Sequence, residues 1–235
     1  MTTVSQVRLA VQPLLQRNAD LALVGRRVVI KPVHHVLRGI FIDRSLDADL
    51  FAPKWFVMSM FKLNDHIVFN WGGEIYRPDP GRWDVNDPQA SPLMCAEIER
   101  LALPILRSVQ TIEDLAKFPA RKKFKNAYFY LERRQEIYFD VACGNFESAR
   151  TLCALLAERA KTADVDWERQ HYGKIAETLG PLLATNDRAG LAQALRDCEA
   201  YSAKKLKLEK LWEPTPFPIE LQSAKRRTST GRRAR

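Results

Sequence analysis

The hydrophobic and polar positions of this chain change period more than once. Val4, Val7, Val11, Leu14 and Leu15 recur at helical spacing, which predicts a short amphipathic helix over residues 3–18, bent or shortened by Pro13. The pattern then becomes sheet-like. "LALVGRRVVIKP", "HHVLRGIFIDRS", "KWFVMSMFKL" and "HIVFNWGGEIYR" are short runs rich in β-branched and aromatic residues, bounded by turn residues, and they predict four strands. The Asn-Asp turn in "KLNDH" predicts that the third and fourth runs pair as a hairpin. In the fourth run Ile67, Phe69 and Trp71 alternate with Val68 and Asn70, and Gly72-Gly73 marks a bulge, a bend or a close backbone approach. The stretch from Pro78 to Pro92, "PDPGRWDVNDPQASP", holds four prolines and predicts a long exposed loop without regular structure.

Beyond that loop the pattern is helical almost to the end. Residues 92–117 carry an apolar stripe that Pro104 divides into two helices. A basic connection, "ARKKFKN", leads to a helix over 127–142, closed by Gly144-Asn145 in a left-handed cap. "FESARTLCALLAERAK" forms the return helix, followed by helices over 166–184 and, after the cap in "TND", 188–211. "EPTPFPIE", residues 213–220, favours an extended conformation. The expected architecture is α+β: a small, mainly antiparallel sheet of about four strands followed by helical hairpins. The expected division is a sheet domain over 1–118, a helical-hairpin region packed on it over 119–212, and a Pro-rich linker with a disordered basic tail over 213–235.

Composition changes this picture in one respect. The chain has 235 residues, of which 46% are apolar and 28% charged, ordinary values for a protein that buries a core. Its net charge of +9 is unevenly spread. Lys225, Arg226, Arg227, Arg232, Arg233 and Arg235 fall in the last fifteen residues, where there is no acid, and they leave only +3 for the first 220. The N-terminus does not read as a signal peptide, and no apolar run approaches the ~18 residues of a membrane span. Four scattered cysteines (Cys95, Cys143, Cys153, Cys198) read as free thiols of a reducing compartment, so a cytoplasmic, bacterial-type protein is expected.

The residues that carry chemistry are mostly explained without it. His34 and His35 are adjacent and diverge on an extended chain, and there is no CxxC, HExxH or DxDxDG, so no metal site is expected. No Ser or Cys sits in a nucleophile elbow, and no glycine pattern suits a nucleotide, so neither a cofactor nor a catalytic residue is expected. Asp43, Asp47 and Asp49 in "IDRSLDADLF" read first as turn and cap residues and only second as a cation or acid–base cluster. Glu74 and Arg77 are candidates for a cross-strand pair worth ~0.2–1 kcal/mol.

Two features suggest a partner. Arg82, Trp83 and Asp84 place an aromatic between charges at the tip of the Pro-rich loop, the composition of an interface anchor; the alternative is that Trp83 folds back over the sheet edge. The six basic tail residues, supported by "RKKFK" at Arg121–Lys125, suit electrostatic contact with phosphates. Around the first helical turn, Ala142, Gly144, Phe146, Ala149, Leu152 and Leu156 resemble part of a tetratricopeptide unit, although the 34-residue repeat does not recur. In layout, residues 1–212 resemble uncharacterised bacterial sheet-plus-helix families, some of which accompany toxins as immunity proteins. That resemblance implies no catalytic residue. The expected function is non-enzymatic interaction with another macromolecule, foremost a protein and immunity-like in character, without a membrane; the alternative is non-specific association with nucleic acid through the tail.

Overall fold

The structure, a computed structural model, describes residues 3–45, 47, 49–69, 71–118 and 133–221. They divide into two units. The first takes the described residues within 1–60, 64–129 and 203–213; the second takes those within 61–63, 130–202 and 214–235. The basic connection at Arg121–Lys125 and the tail from Lys225 to Arg235 lie outside the described residues.

In the first unit, α1 (Val4–Arg17) opens on a reciprocal cap: Thr3 Oγ1 accepts from Gln6 N–H at 3.2 Å, and Gln6 Oε1 accepts from Thr3 N–H at 2.7 Å. Val7, Val11 and Leu14, spaced four and three apart, are fully buried. Pro13 is accommodated inside the helix; the carbonyl deprived of its partner belongs to Leu9, which stands on the exposed face.

Six strands follow, where four were expected: β1 (Leu21–Val24), β2 (Arg27–Ile30), β3 (Val36–Arg44), β4 (Leu50–Ser59), β5 (Trp71–Glu74) and β6 (Trp83–Asp84). The first five form an antiparallel meander in chain order, and β6 pairs with Leu50 and Phe51 at the start of β4. The run read as one opening strand is a hairpin that turns at Gly25-Arg26. The third and fourth runs do pair, Lys54–Val57 against Trp71–Glu74, but only the Trp71–Glu74 part of "HIVFNWGGEIYR" is strand.

Register sorts the side chains into two faces. Leu37, Gly39 and Phe41 on β3 stand opposite Met58, Phe56 and Lys54 on β4. This face, with Val29 and Val33, packs against Ala203, Leu206 and Leu208. Val33 also bridges to the neighbourhood of Trp212: its N–H donates to Leu211 O, and its carbonyl accepts from Glu213 N–H, both at 2.8 Å. The position of Gly39 leaves no room for a side chain, since a Cβ there would lie 2.3 Å from the Val28 carbonyl oxygen and 3.2 Å from the Phe56 ring. Gly72 serves the close approach that its sequence suggested, because a Cβ would fall 2.6 Å from Trp55 O.

The opposite face carries Arg38, Ile40, Ile42, Trp55 and Val57. It meets the helical segment that follows the loop: α2 (Ala90–Glu97), a π-helical turn at Ile98–Ala102, α3 (Leu103–Arg107) and α4 (Ile112–Lys117). The division expected at Pro104 falls instead at residues 108–111: helical backbone is continuous from Ala90 to Arg107, and Pro104 sits in the first turn of α3 directly after the π-turn, where its missing N–H costs little. Trp55 meets Phe118 edge-on at 6.2 Å, and buried Arg38 donates from Nη1 to Val109 O at 3.0 Å.

The second unit contains α5 (Arg133–Cys143), α6 (Phe146–Thr162), α7 (Asp166–Ala184) and α8 (Arg188–Lys205), the last of which ends earlier than its sequence suggested. Gly144, at φ 80°, closes α5, and Asp187 caps α8 by accepting from Gly190 N–H at 2.9 Å. The α6–α7 hairpin is packed through small residues, with Cys153 near Gly180 and Ala160 near Gly173. Residues 214–221 are not a free linker: Phe217 and Ile219 are fully buried, Phe217 packs on Phe61 at 6.0 Å, and Glu220 accepts from both Arg196 Nη2 and Phe217 N–H at 2.8 Å. The extended backbone expected over 213–220 holds only as far as Phe217: residues 218–221 form a helical turn, with Glu220 and Leu221 N–H donating to Phe217 O, and the prolines do not reveal that Phe217 and Ile219 point into a core.

Candidate functional site

The Pro-rich loop resolves the choice posed by Trp83. Arg77 gathers it: Nε and Nη2 donate to the two carboxylate oxygens of Asp79 at 2.8 Å each, and Nη1 donates to Asp87 and to the Arg82 carbonyl. The guanidinium lies 5.5 Å over the Trp83 ring. Trp83 is 5% exposed, stacks on Phe51 at 6.3 Å, and donates from Nε1 to Ile75 O at 2.8 Å. It covers the sheet edge and is not an exposed anchor, while Arg82 beside it is exposed and Asp84 half-buried. The hydrogen bonds of Arg77 hold Asp79 and Asp87 below the usual carboxylate range. Arg77 is thereby committed to this loop and not to Glu74, whose strand partner is Lys54.

A cavity of about 310 Å³ lies between α1 and this loop, floored by Ile42 and Phe51. Several of its polar groups are bonded within the protein: Gln6 caps α1, Ser91 Oγ donates to Ala10 O at 2.7 Å, Asp84 accepts from Asn86 N–H at 2.8 Å, and Asp87 accepts from Gln89 N–H at 2.9 Å. Two of the three acids near the second strand, Asp43 and Asp47, are also engaged through their carboxylates. Asp43 accepts from Lys54 Nζ at 2.6 Å, and Asp47 accepts from Asp49 N–H at 3.1 Å in the β3–β4 turn. His34 Nδ1 lies 2.8 Å from Glu213 O, and His35 is buried. Among the described residues no group of three or more His, Cys, Asp or Glu side chains is placed to hold a metal, and the four cysteines are free thiols.

The exposed aromatic stands elsewhere. Trp167, in the first turn of α7, is 54% exposed, with Val165 just before it at 48%, so the tip of the α6–α7 hairpin presents two large apolar side chains. Around them Arg169 pairs with Asp166 at 3.2 Å and Arg159 approaches Glu168 at 3.8 Å, while Asp164 is exposed between them. No sequence signal isolates Trp167. It continues a four-residue stripe with His171, Ile175, Leu179 and Leu183 that reads as buried, but each step of four residues rotates by about 40° in a helix of 3.6 residues per turn, and the first turn faces outward.

The second unit also holds a cavity of about 280 Å³ between α5, α7 and α8. Tyr138 and Cys198 line it, as do the apolar Leu63, Ile175 and Leu179, while Lys174, Thr178 and Asp197 stand exposed around it. Burial pushes the Tyr138 phenol above the usual tyrosine range and the Cys198 thiol up to about 12, so both are neutral at neutral pH.

The fold class is therefore an α+β protein with a meandering antiparallel sheet followed by helices, and among the described residues no helix is long and apolar enough to cross a membrane. Comparison takes the matter no further: no family model, no curated protein and no solved structure matches the chain.

Proposed function

We propose that this is a non-enzymatic protein-binding protein whose interface is centred on the α6–α7 tip. The observation that carries the reading is Trp167, a half-exposed indole next to a half-exposed Val165, and the largest of the apolar side chains that the described residues leave exposed. Tryptophan is enriched among the residues that dominate binding energy, because it brings a large rigid apolar surface at small entropic cost. Asp164, Asp166 and Glu168 outnumber Arg159 and Arg169 around it, so the matching partner is a protein with an apolar pocket and a basic rim. An immunity-like role would make that partner a toxin, and the setting would be the cytoplasm, where thiols stay reduced.

The test is capture with crosslinking in the native host, comparing the wild type with Trp167→Ala. The expected result is a protein crosslinked to residues 163–168, lost from the variant while its thermal melt is unchanged. Equal capture by both, or crosslinks confined to other surfaces, would remove the tip from consideration. The tail supports a second reading, association with nucleic acid, since six of the nine net charges fall in the last fifteen residues. Captured material dominated by nucleic-acid absorbance would favour it.

A further inference from the structure

The cavity of the second unit is independent of the α6–α7 tip and has a different chemistry. We propose that it binds a small, uncharged, mostly apolar molecule bearing a carbonyl or hydroxyl oxygen that accepts a hydrogen bond from Tyr138. Tyr138 is only 8% exposed and lines the cavity, and its hydroxyl is not one of the side-chain atoms sealed from solvent without a partner. A tyrosine hydroxyl that meets open space in an otherwise buried ring is left to hydrogen-bond water or a ligand. Here the open position beside it is the cavity itself. At about 280 Å³ that space is at the small end of ligand pockets, which bind by apolar walls with a few polar groups fixing orientation.

The choice of an uncharged ligand follows from the walls. Ile175 and Leu179 are buried and apolar, Leu63 and Ala194 extend the apolar wall, and His171 and Tyr201 also line the space. Tyr138 is buried and Cys198 half-buried, and neither carries charge at neutral pH. At the mouth, exposed Lys174 and Asp197 oppose one another, and Asp197 already accepts from Gln193 Nε2 at 2.7 Å. An ion entering would lose its hydration without a fixed countercharge, whereas a ketone or alcohol loses little and gains the Tyr138 hydrogen bond.

The experiment uses the full chain with ¹³C-labelled isoleucine methyls and four probes of one ring size: cyclohexanone, methylcyclohexane, cyclohexanecarboxylate and cyclohexylamine. Cyclohexanone should shift the Ile175 methyl resonance saturably, and the two ions should bind at least about ten-fold more weakly. Tyr138→Phe keeps the ring and removes the donor. It should weaken cyclohexanone about five-fold and leave methylcyclohexane unchanged. Ala194→Leu, which adds bulk to the lining, should weaken every probe while the thermal melt stays within a few degrees. The proposal is overturned if no probe moves Ile175, if an ion binds best, or if Tyr138→Phe binds cyclohexanone as well as the wild type does.

Discussion

Arg107 grips Asp20 through two parallel hydrogen bonds, Nε to Oδ2 at 2.9 Å and Nη2 to Oδ1 at 2.7 Å, and the same Nη2 donates to Asn18 Oδ1 at 2.8 Å. Asn18 in turn donates to Glu99, which Arg17 holds with a second bidentate pair. A polar chain thus ties the end of α1 and the start of β1 to the π-turn and α3. The bonds from Arg107 hold the Asp20 carboxylate below its ordinary range, and those from Arg17 do the same for Glu99. A carboxylate whose folded pKa is depressed stabilises the fold above its unfolded value, about 4, and the contribution disappears as pH falls through the lower folded value. Asp20→Asn should therefore lose stability at pH 7, by under about 1 kcal/mol because the pair is partly solvated. The difference should close in urea melts near pH 2.5; a gap that persists there would make the contact one of shape and not of charge.

Gly39 is the position of the sheet least able to change. Gly39→Ala would set a methyl against the Val28 carbonyl and the Phe56 ring, and strands hydrogen-bonded on both sides cannot easily part. The expected cost is at least about 3 kcal/mol, at the upper end for overpacking. Urea unfolding followed by far-UV dichroism measures it; a loss under about 1 kcal/mol would show that β2 and β3 shift apart freely.

Arg77 governs the loop. Arg77→Ala frees Asp79, Asp87 and the face of Trp83 together, and Arg82 is a tryptic site inside the released segment. Brief digestion with trypsin should cut the variant after Arg82 several-fold faster than the wild type. Equal rates would mean that β6 and the Trp83–Ile75 hydrogen bond hold the loop unaided.

The C-terminal region divides at Leu221. Truncation after Leu221 should leave the melting temperature nearly unchanged. Phe217→Ala should cost about 3–5 kcal/mol, the usual range for emptying a fully buried phenylalanine site. A neutral Phe217→Ala would return residues 214–221 to the status of linker.

The tail has its own test. If its six basic residues neutralise phosphates, log K against log salt for B-DNA should have a slope near about −5, from ~0.9 per contact. Neutralising all six should flatten it, with little sequence preference lost, because phosphate contacts position without specifying. Binding to one sequence at physiological salt would instead assign recognition to the folded residues.

How far the sequence reached depended on the range of the interactions. The helices over 166–184 and from 188 were legible because period and caps are local. "HIVFNWGGEIYR" was over-read because β-branched and aromatic residues mark burial as well as pairing: Ile67, Val68 and Phe69 pack on the sheet without joining it. Trp83 was ambiguous for a related reason, since four prolines announce a loop but not that Arg77 will cinch it onto an edge. Trp167 was missed because its spacing continues a buried stripe past the point where the core ends. Tyr138 carries no sequence mark at all; its place on a cavity wall is a fact of three dimensions.

The face of the sheet that bears Val29, Leu37, Phe56 and Met58 is closed by residues 203–208, beginning 145 positions downstream of Met58, the last strand residue it covers. During synthesis at ~5–20 residues per second, the hairpins of β1 to β4 wait on the order of ten seconds for that cover to leave the ribosome. Throughout that interval only Ile67, Val68 and Phe69 of its own chain lie over part of this apolar surface, so a nascent-chain chaperone, and not the mature protein's partner, is the first molecule with reason to occupy the rest.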